Sequence, residues 1–92
     1  MDSPIIHHPD QCRFEFTQNG ATAYVEYMEE SQSLTILHTL VPKPLEGQGI
    51  ASRLVQTSFD YALRKGLRPK ATCWYAKVWL QRHPGYNGKK LD

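Results

Sequence analysis

The chain has 92 residues, 40% hydrophobic and 22% charged, enough for one domain with a modest core. Eleven Lys and Arg against nine Asp and Glu leave a net charge of +2, too balanced for nucleic-acid binding by charge alone. No apolar run approaches the ~20 residues that span a bilayer. Met1 to Gln11, interrupted by Asp2, His7, His8 and Asp10, does not read as a signal peptide. These features lead us to expect a soluble cytoplasmic protein. Cys12 and Cys73 are too few for a disulfide framework and are expected as free thiols. With the four histidines they show no zinc-ligand spacing, so no metal is expected.

The first eleven residues read as an irregular arm, and His7-His8, lacking further ligands nearby, as part of a solvated tail. Arg13 to Gln18 alternates, with Phe14 and Phe16 on one face. Asn19-Gly20 suits a type I′ hairpin turn, because both residues tolerate positive φ. Ala21 to Met28 alternates again, with Ala21, Ala23, Val25 and Tyr27 together. Leu34, Ile36, His38 and Leu40 then alternate against Thr35, Leu37, Thr39 and Val41. The three segments predict an antiparallel meander. Pro42-Lys43-Pro44 stops the third strand, and Leu45 to Gly49 is a short loop.

The clearest helix follows. Ile50, Ala51, Leu54, Val55, Ser58, Phe59 and Ala62 form its apolar stripe, Asp60 and Arg64 an i,i+4 pair, and Gly66 its C-terminal stop. Leu67 to Trp74 reads as a fourth strand, basic at its start. Tyr75 to Arg82 reads as a short helix stopped before Pro84, and Gly85 to Asp92 as a frayed tail. A strand, helix and strand in one sheet form a parallel pair, so the third and fourth strands should be parallel neighbours. The fold class is α+β, with three antiparallel strands, a helix, a parallel strand and a short C-terminal helix.

Gly47-Gln48-Gly49-Ile50-Ala51 enters the main helix. A helix N-terminus presents unpaired N–H groups and partial positive charge, which suit a phosphate, and glycines admit close approach. A nucleotide-binding P-loop would need Gly-Lys-Ser/Thr, which is absent. A dinucleotide fingerprint does not fit either, since position 52 is Ser and the sheet is mainly antiparallel. A plain structural turn stays open beside the phosphate reading.

Val41, the Leu45-Glu46-Gly47-Gln48-Gly49-Ile50-Ala51 segment and Leu54-Val55 resemble the acetyl-CoA signature of the GNAT superfamily of N-acetyltransferases. With His38-Thr39-x-Val41 and Cys73-x-x-Ala76-Lys77, they resemble its small stand-alone GNAT-like (YjdJ-type) subfamily. The resemblance covers about Phe14 to Tyr86. It implies one minimal GNAT-like acyl-CoA N-acyltransferase domain over 1–92, with its core at about 12–86. In that fold the parallel strands splay and the pantetheine arm lies in the gap. Carried over by position, the backbone N–H groups of Gly47, Gln48, Gly49, Ile50 and Ala51 would hold the pyrophosphate. Backbone groups around Leu40 and Val41 would pair with pantetheine, and one N–H there would steady the thioester oxygen. Two positions depart from the pattern: Pro44 stands where Gln or Arg is usual, and Leu40 where the subfamily often carries an acid. The N-terminal helices of larger relatives are missing, which implies an open acceptor groove or one completed by a partner.

Cys73, just before a helix, is the first candidate catalytic group, since a thiol there tends toward thiolate. The resemblance implies a general base or an acyl-accepting nucleophile, and the plain alternative is a buried inert thiol. His38 is a candidate because histidine as a residue type moves protons near neutral pH, although its strand phase also fits a core residue. Tyr75 is placed to protonate a leaving thiolate or to pack under the sheet. Among the basic residues Arg53, Arg64, Lys65, Arg68 and Lys70, Arg53 is the best placed for the CoA phosphates, against a solvated helix face. Trp74 and Trp79 read as core or rim, and Cys12 as structural.

The expected function is acetyl-CoA-dependent transfer of an acetyl group to a small-molecule or peptide amine, with acetyl-CoA as co-substrate. The alternative is a CoA-binding module without transferase activity. An interaction protein that keeps only the fold is a third reading. Nucleic acid and membrane are not expected partners. The short sheet edges permit self-pairing without requiring it.

Overall fold

The structure, a computed structural model, describes residues 4–86. Five strands form one sheet in chain order: β1 (Ile6–His8), β2 (Arg13–Gln18), β3 (Ala21–Glu29), β4 (Ser33–Leu40) and β5 (Arg68–Ala71). The first four are antiparallel, and β4 and β5 are parallel, joined by helix α1 (Ile50–Arg64). Helix α2 (Trp74–Arg82) follows β5. The α+β class, the meander and the parallel pair thus stand as expected. The fourth strand is shorter than expected, because Pro69 and the turn after Ala71 leave room for only four residues, and α2 begins one residue early. The expected frayed tail lies outside the described residues from position 87 onward. Among the described residues, no helix is long and apolar enough to cross a membrane.

One sheet face is buried. Phe14, Phe16, Ala23, Val25, Tyr27, Leu34 and Ile36 point to it and pack against Ile50, Leu54, Val55, Phe59 and Ala62 of α1. The α1 stripe is therefore the predicted one, with Ser58 buried inside it because its hydroxyl donates to the Leu54 carbonyl at 2.8 Å. The hairpin turn has Asn19 at φ 52° and Gly20 at φ 80°, the pair of positive angles a type I′ turn requires. Past α1, Gly66 at φ 73° lets the Leu67 N–H bond back to the Ala62 carbonyl at 2.8 Å. Asp60 accepts a hydrogen bond from Tyr86 at 2.7 Å, and among the described residues no ion pair joins it to Arg64.

The arm before Cys12 is a correction. It forms β1 and a 3-10 turn, Pro9–Gln11, which ends on Cys12 at φ 55°. Pairing with β2 puts His7 opposite Phe14 and His8 opposite Arg13. His7 is not solvated: its ring stacks on Phe14 at 4.0 Å, meets Tyr61 edge-on at 4.6 Å, and its Nε2 lies 2.6 Å from the Tyr27 hydroxyl. Two adjacent histidines on a strand point to opposite faces, so one is drawn into the aromatic cluster while His8 meets Glu15 at 3.2 Å. Burial of the cluster raises the Tyr27 phenol well above its ordinary range. Beside it, Glu29 accepts from Tyr61 at 2.9 Å and from Lys65 at 3.0 Å, and chiefly the Lys65 contact lowers its carboxyl pKa.

Desolvation lowers the His7 pKa below its ordinary 6.5. The fold therefore favours the neutral ring. That contribution is complete above pH 6.5 and is lost as pH falls through the lower folded value. Urea unfolding should show stability declining as pH falls below 6.5. His7→Gln should lose roughly 1 kcal/mol at neutral pH and flatten that decline. An unchanged slope in the variant would place the titration elsewhere.

Candidate functional site

The site begins with a break in β4. Tyr27 pairs with Ile36, but the next residue of β3, Glu26, pairs with His38, so Leu37 is an extra residue in a bulge. Inserting one residue reverses the side-chain phase. Leu34 and Ile36 are in the core, Thr39 lies opposite buried Val25, and His38 and Leu40 turn to the other sheet face. The expected common face for Leu34, Ile36, His38 and Leu40 is corrected accordingly. His38 is an exposed residue, not a core histidine, and Leu40 is 44% exposed.

At the same point β4 loses its neighbour. The β4–β5 register ends at Ile36 and Ala71, and the Ile36 carbonyl accepts from both Thr72 N–H (3.0 Å) and Cys73 N–H (3.3 Å). Beyond it, β5 gives way to α2 while β4 continues to Leu40. Among the described residues, the edge of β4 from Leu37 to Leu40 has no strand beside it on that side, leaving backbone groups for an extended ligand to pair with.

Two clefts flank this gap, lined by the chain neighbours Leu40 and Val41 and by Trp74 and Tyr75. One, of about 150 Å³, is lined by Val41, Leu45, Glu46, Gly47, Gly49, Ile50, Ala51, Ser52 and Tyr75. A 3-10 turn, Lys43–Leu45, shapes its floor: Leu45 is buried and its N–H bonds the Pro42 carbonyl at 2.9 Å. Gly47 at φ 84° and Gly49 at φ 74° then swing the chain into α1. Gly49 caps that helix with no side-chain hydrogen bond, so the first-turn N–H groups have no side-chain acceptor at their cap. No atom lies within 4 Å of where a Cβ on Gly47 or Gly49 would stand, so the approach is open. A negatively charged group fits there, since the dipole and the N–H groups favour it.

The other cleft, of about 540 Å³, lies on the sheet face away from α1 and is lined by Tyr24, Glu26, Leu37, His38, Thr39, Leu40, Cys73 and Trp74. Cys73 sits at the N-cap of α2, partly buried, and its Sγ–H donates to Thr39 Oγ1 at 3.5 Å. The thiol thus spans the gap from the α2 side to β4. Among the described residues, neither cleft contains a cluster of three metal-ligating side chains.

The structure brings Cys73 and His38 together in the second cleft and places Tyr75 in the first. Tyr75 is 41% exposed and does not pack under the sheet. Val41, Gly47, Gly49, Ile50 and Ala51 line the first cleft, Gln48 lies in the loop that forms it, and Leu40 faces the second. Arg53 does not line the glycine cleft: its guanidinium lies 5.3 Å from the centre of the Phe16 ring. Lys65 is engaged with Glu29, and Arg68 and Lys70 line one groove between β5 and α2 and another beside Gln32 and Ser33. Lys77 joins them in the first of these, away from the cleft that holds Cys73. Tyr24, Glu26 and Ser52 carry no local signal as lining residues, and Thr39 appeared only within the His38-Thr39-x-Val41 motif. Only strand register and helix packing bring them in.

Known proteins match this chain over most of its length. The family described as GCN5-related N-acetyl-transferase matches residues 13–89. The chain is 32% identical over 87 residues to Protein NATD1 of Bos taurus, covering 88% of this chain and 76% of that one. With Protein NATD1 of Homo sapiens it shares 31% over 87 residues, again 88% and 76% of the two chains. A GCN5-like protein of Staphylococcus aureus, solved in solution by NMR, superposes with a TM-score of 0.72 at 26% identity, covering 97% of this chain and 90% of that one.

Gly49→Ala tests the loop without adding a clash, because the space around its Cβ is open. A non-glycine residue at that φ should cost about 1–2 kcal/mol, read as a lower urea midpoint with an unchanged m-value.

Proposed function

Because the chain belongs to the GCN5-related N-acetyltransferase family, we propose that it transfers an acetyl group from acetyl-CoA to an amine, across the gap between β4 and β5. The observation that carries this reading is the bulge at Leu37. Beyond it, where β5 has ended, the edge of β4 is unpaired among the described residues, and two chemically different clefts flank it, lined by the chain neighbours Leu40 and Val41 and by Trp74 and Tyr75. Acetyl-CoA supplies the activated acyl group as a thioester. The N–H groups at the start of α1, with Gly47, Gln48, Gly49, Ile50 and Ala51, suit its pyrophosphate, and the free edge around Leu40 and Val41 suits its pantetheine amides. Arg53 reaches a phosphate only after leaving Phe16.

The amine approaches from the second cleft. His38, exposed on that side, takes its proton, and the nitrogen bonds to the acyl carbon as the carbon–sulfur bond breaks. A backbone N–H near Leu40 or Val41 steadies the oxygen. Tyr75, on the cofactor side, returns a proton to the departing sulfur. Cys73 lies between, and a nucleophilic role would pass the acyl group through a thioester on its Sγ. Leu40, where the subfamily often carries an acid, favours a second reading, a module that binds CoA without transfer. Its side chain faces the acceptor cleft and brings no base.

Titration with acetyl-CoA should move the backbone amides of Val41 and residues 47–51 saturably. Absence of those shifts at millimolar ligand would remove both CoA readings. CoA release with an amine panel should fall about 10²-fold in His38→Gln, with acetyl-CoA affinity retained. Rapid acid quench of labelled acetyl-CoA with Cys73 intact, against Cys73→Ala, reads the covalent route directly. Binding without release for any amine would leave the CoA-binding module.

A further inference from the structure

The acceptor cleft has a chemistry of its own. Glu26 is the one carboxylate among its lining residues, and the two aromatic walls are Tyr24 and Trp74. Trp74 is 76% exposed at the first turn of α2, the most exposed large apolar side chain among the described residues. The cost of leaving an indole in water is offset if a ligand covers it. Tyr24 already displays the preference of this wall, since the Arg13 guanidinium lies 3.8 Å over its ring. Arg13 reaches Glu26 Oε2 at 3.1 Å and Glu15 Oε2 at 3.2 Å, so the one guanidinium that Glu26 contacts is shared with Glu15, which His8 also meets at 3.2 Å. Among the described residues, no lysine or arginine lines the cleft itself.

Resting on the transfer reading above, we infer that the acceptor is a small aliphatic diamine. One nitrogen is neutral at the β4 gap beside His38 and Cys73. The other is an ammonium held between the Glu26 carboxylate and the Trp74 ring. The register supports this spacing, because Glu26 is the cross-strand partner of His38, one strand inward from the free edge at ~4.8 Å. The neutral nitrogen needs a proton acceptor, and the charged one needs a carboxylate and a π-face; both are present in one cleft. A cleft of about 540 Å³ matches a small molecule more closely than a folded partner.

The test uses 1,4-diaminobutane and butylamine as probes, followed by NMR with and without CoA. The diamine should shift the Trp74 indole N–H and the Glu26 and His38 amides saturably, and butylamine should bind about tenfold more weakly. Glu26→Gln and Trp74→Ala should each weaken the diamine roughly threefold to tenfold, with resonances of the buried face unchanged. Equal affinity for the two amines overturns the proposal, as does diamine binding unaltered in both variants. A neutral lysine-containing peptide that binds in preference to the diamine also overturns it. CoA release is read separately. Diamine binding without any release keeps the cationic site and removes the transfer reading, whereas equal release from both amines removes the cationic site alone.

Discussion

One extra residue in β4 governs the rest of the site. Leu37 has no partner across β3, so the strand twists and its side chains change phase. Before the bulge, Leu34 and Ile36 belong to the core and hold β5 in parallel register. After it, His38 and Leu40 face the solvent side and β5 no longer follows. Without the bulge, His38 would point into the space filled by α1, and the cleft that holds Cys73 would lose its imidazole.

The second constraint is the way α1 is started and stopped. Its buried stripe fixes the helix over the sheet, while Gly47 and Gly49 bend the chain from the 3-10 turn into the first helical turn. The anchor of that turn is Leu45, almost fully buried, not a polar side chain reaching back. Pro44 suits this place, since its fixed φ fits the early positions of the 3-10 turn. At the far end of the same helix, Tyr61 and Lys65 close over Tyr27, Glu29 and His7. Helix α1 therefore meets the glycine loop at one end and the first strand of the sheet at the other.

The single covering layer leaves the opposite sheet face available. Arg13, Glu15, Tyr24, Glu26 and His38 populate it, with Arg13 bridging both carboxylates across β2 and β3. A small chain has little surface to spare for a second layer. Here the uncovered face supplies polar and aromatic side chains next to the gap, so the same shortage of core that limits the fold leaves a cleft open beside it.

Much of this was legible in the sequence. Alternating Phe14 and Phe16, the Asn19-Gly20 turn, the α1 stripe and Gly66 each follow from local geometry, because side-chain period and positive φ are properties of a few neighbouring residues. The glycine loop at a helix start was legible for the same reason. The bulge was not: Leu34, Ile36 and Leu40 against Leu37 put apolar residues on both phases of β4, so alternation alone could not locate the slip. Nor was β1 legible, since three residues with two histidines carry too little pattern, and their place comes from contacts with Phe14, Tyr27 and Tyr61 distant in the chain. Local periodicity and turn chemistry determined the elements and their order. Only the packing of α1 and the register between strands decided which side chains share a cleft, because those contacts join residues that no local pattern relates.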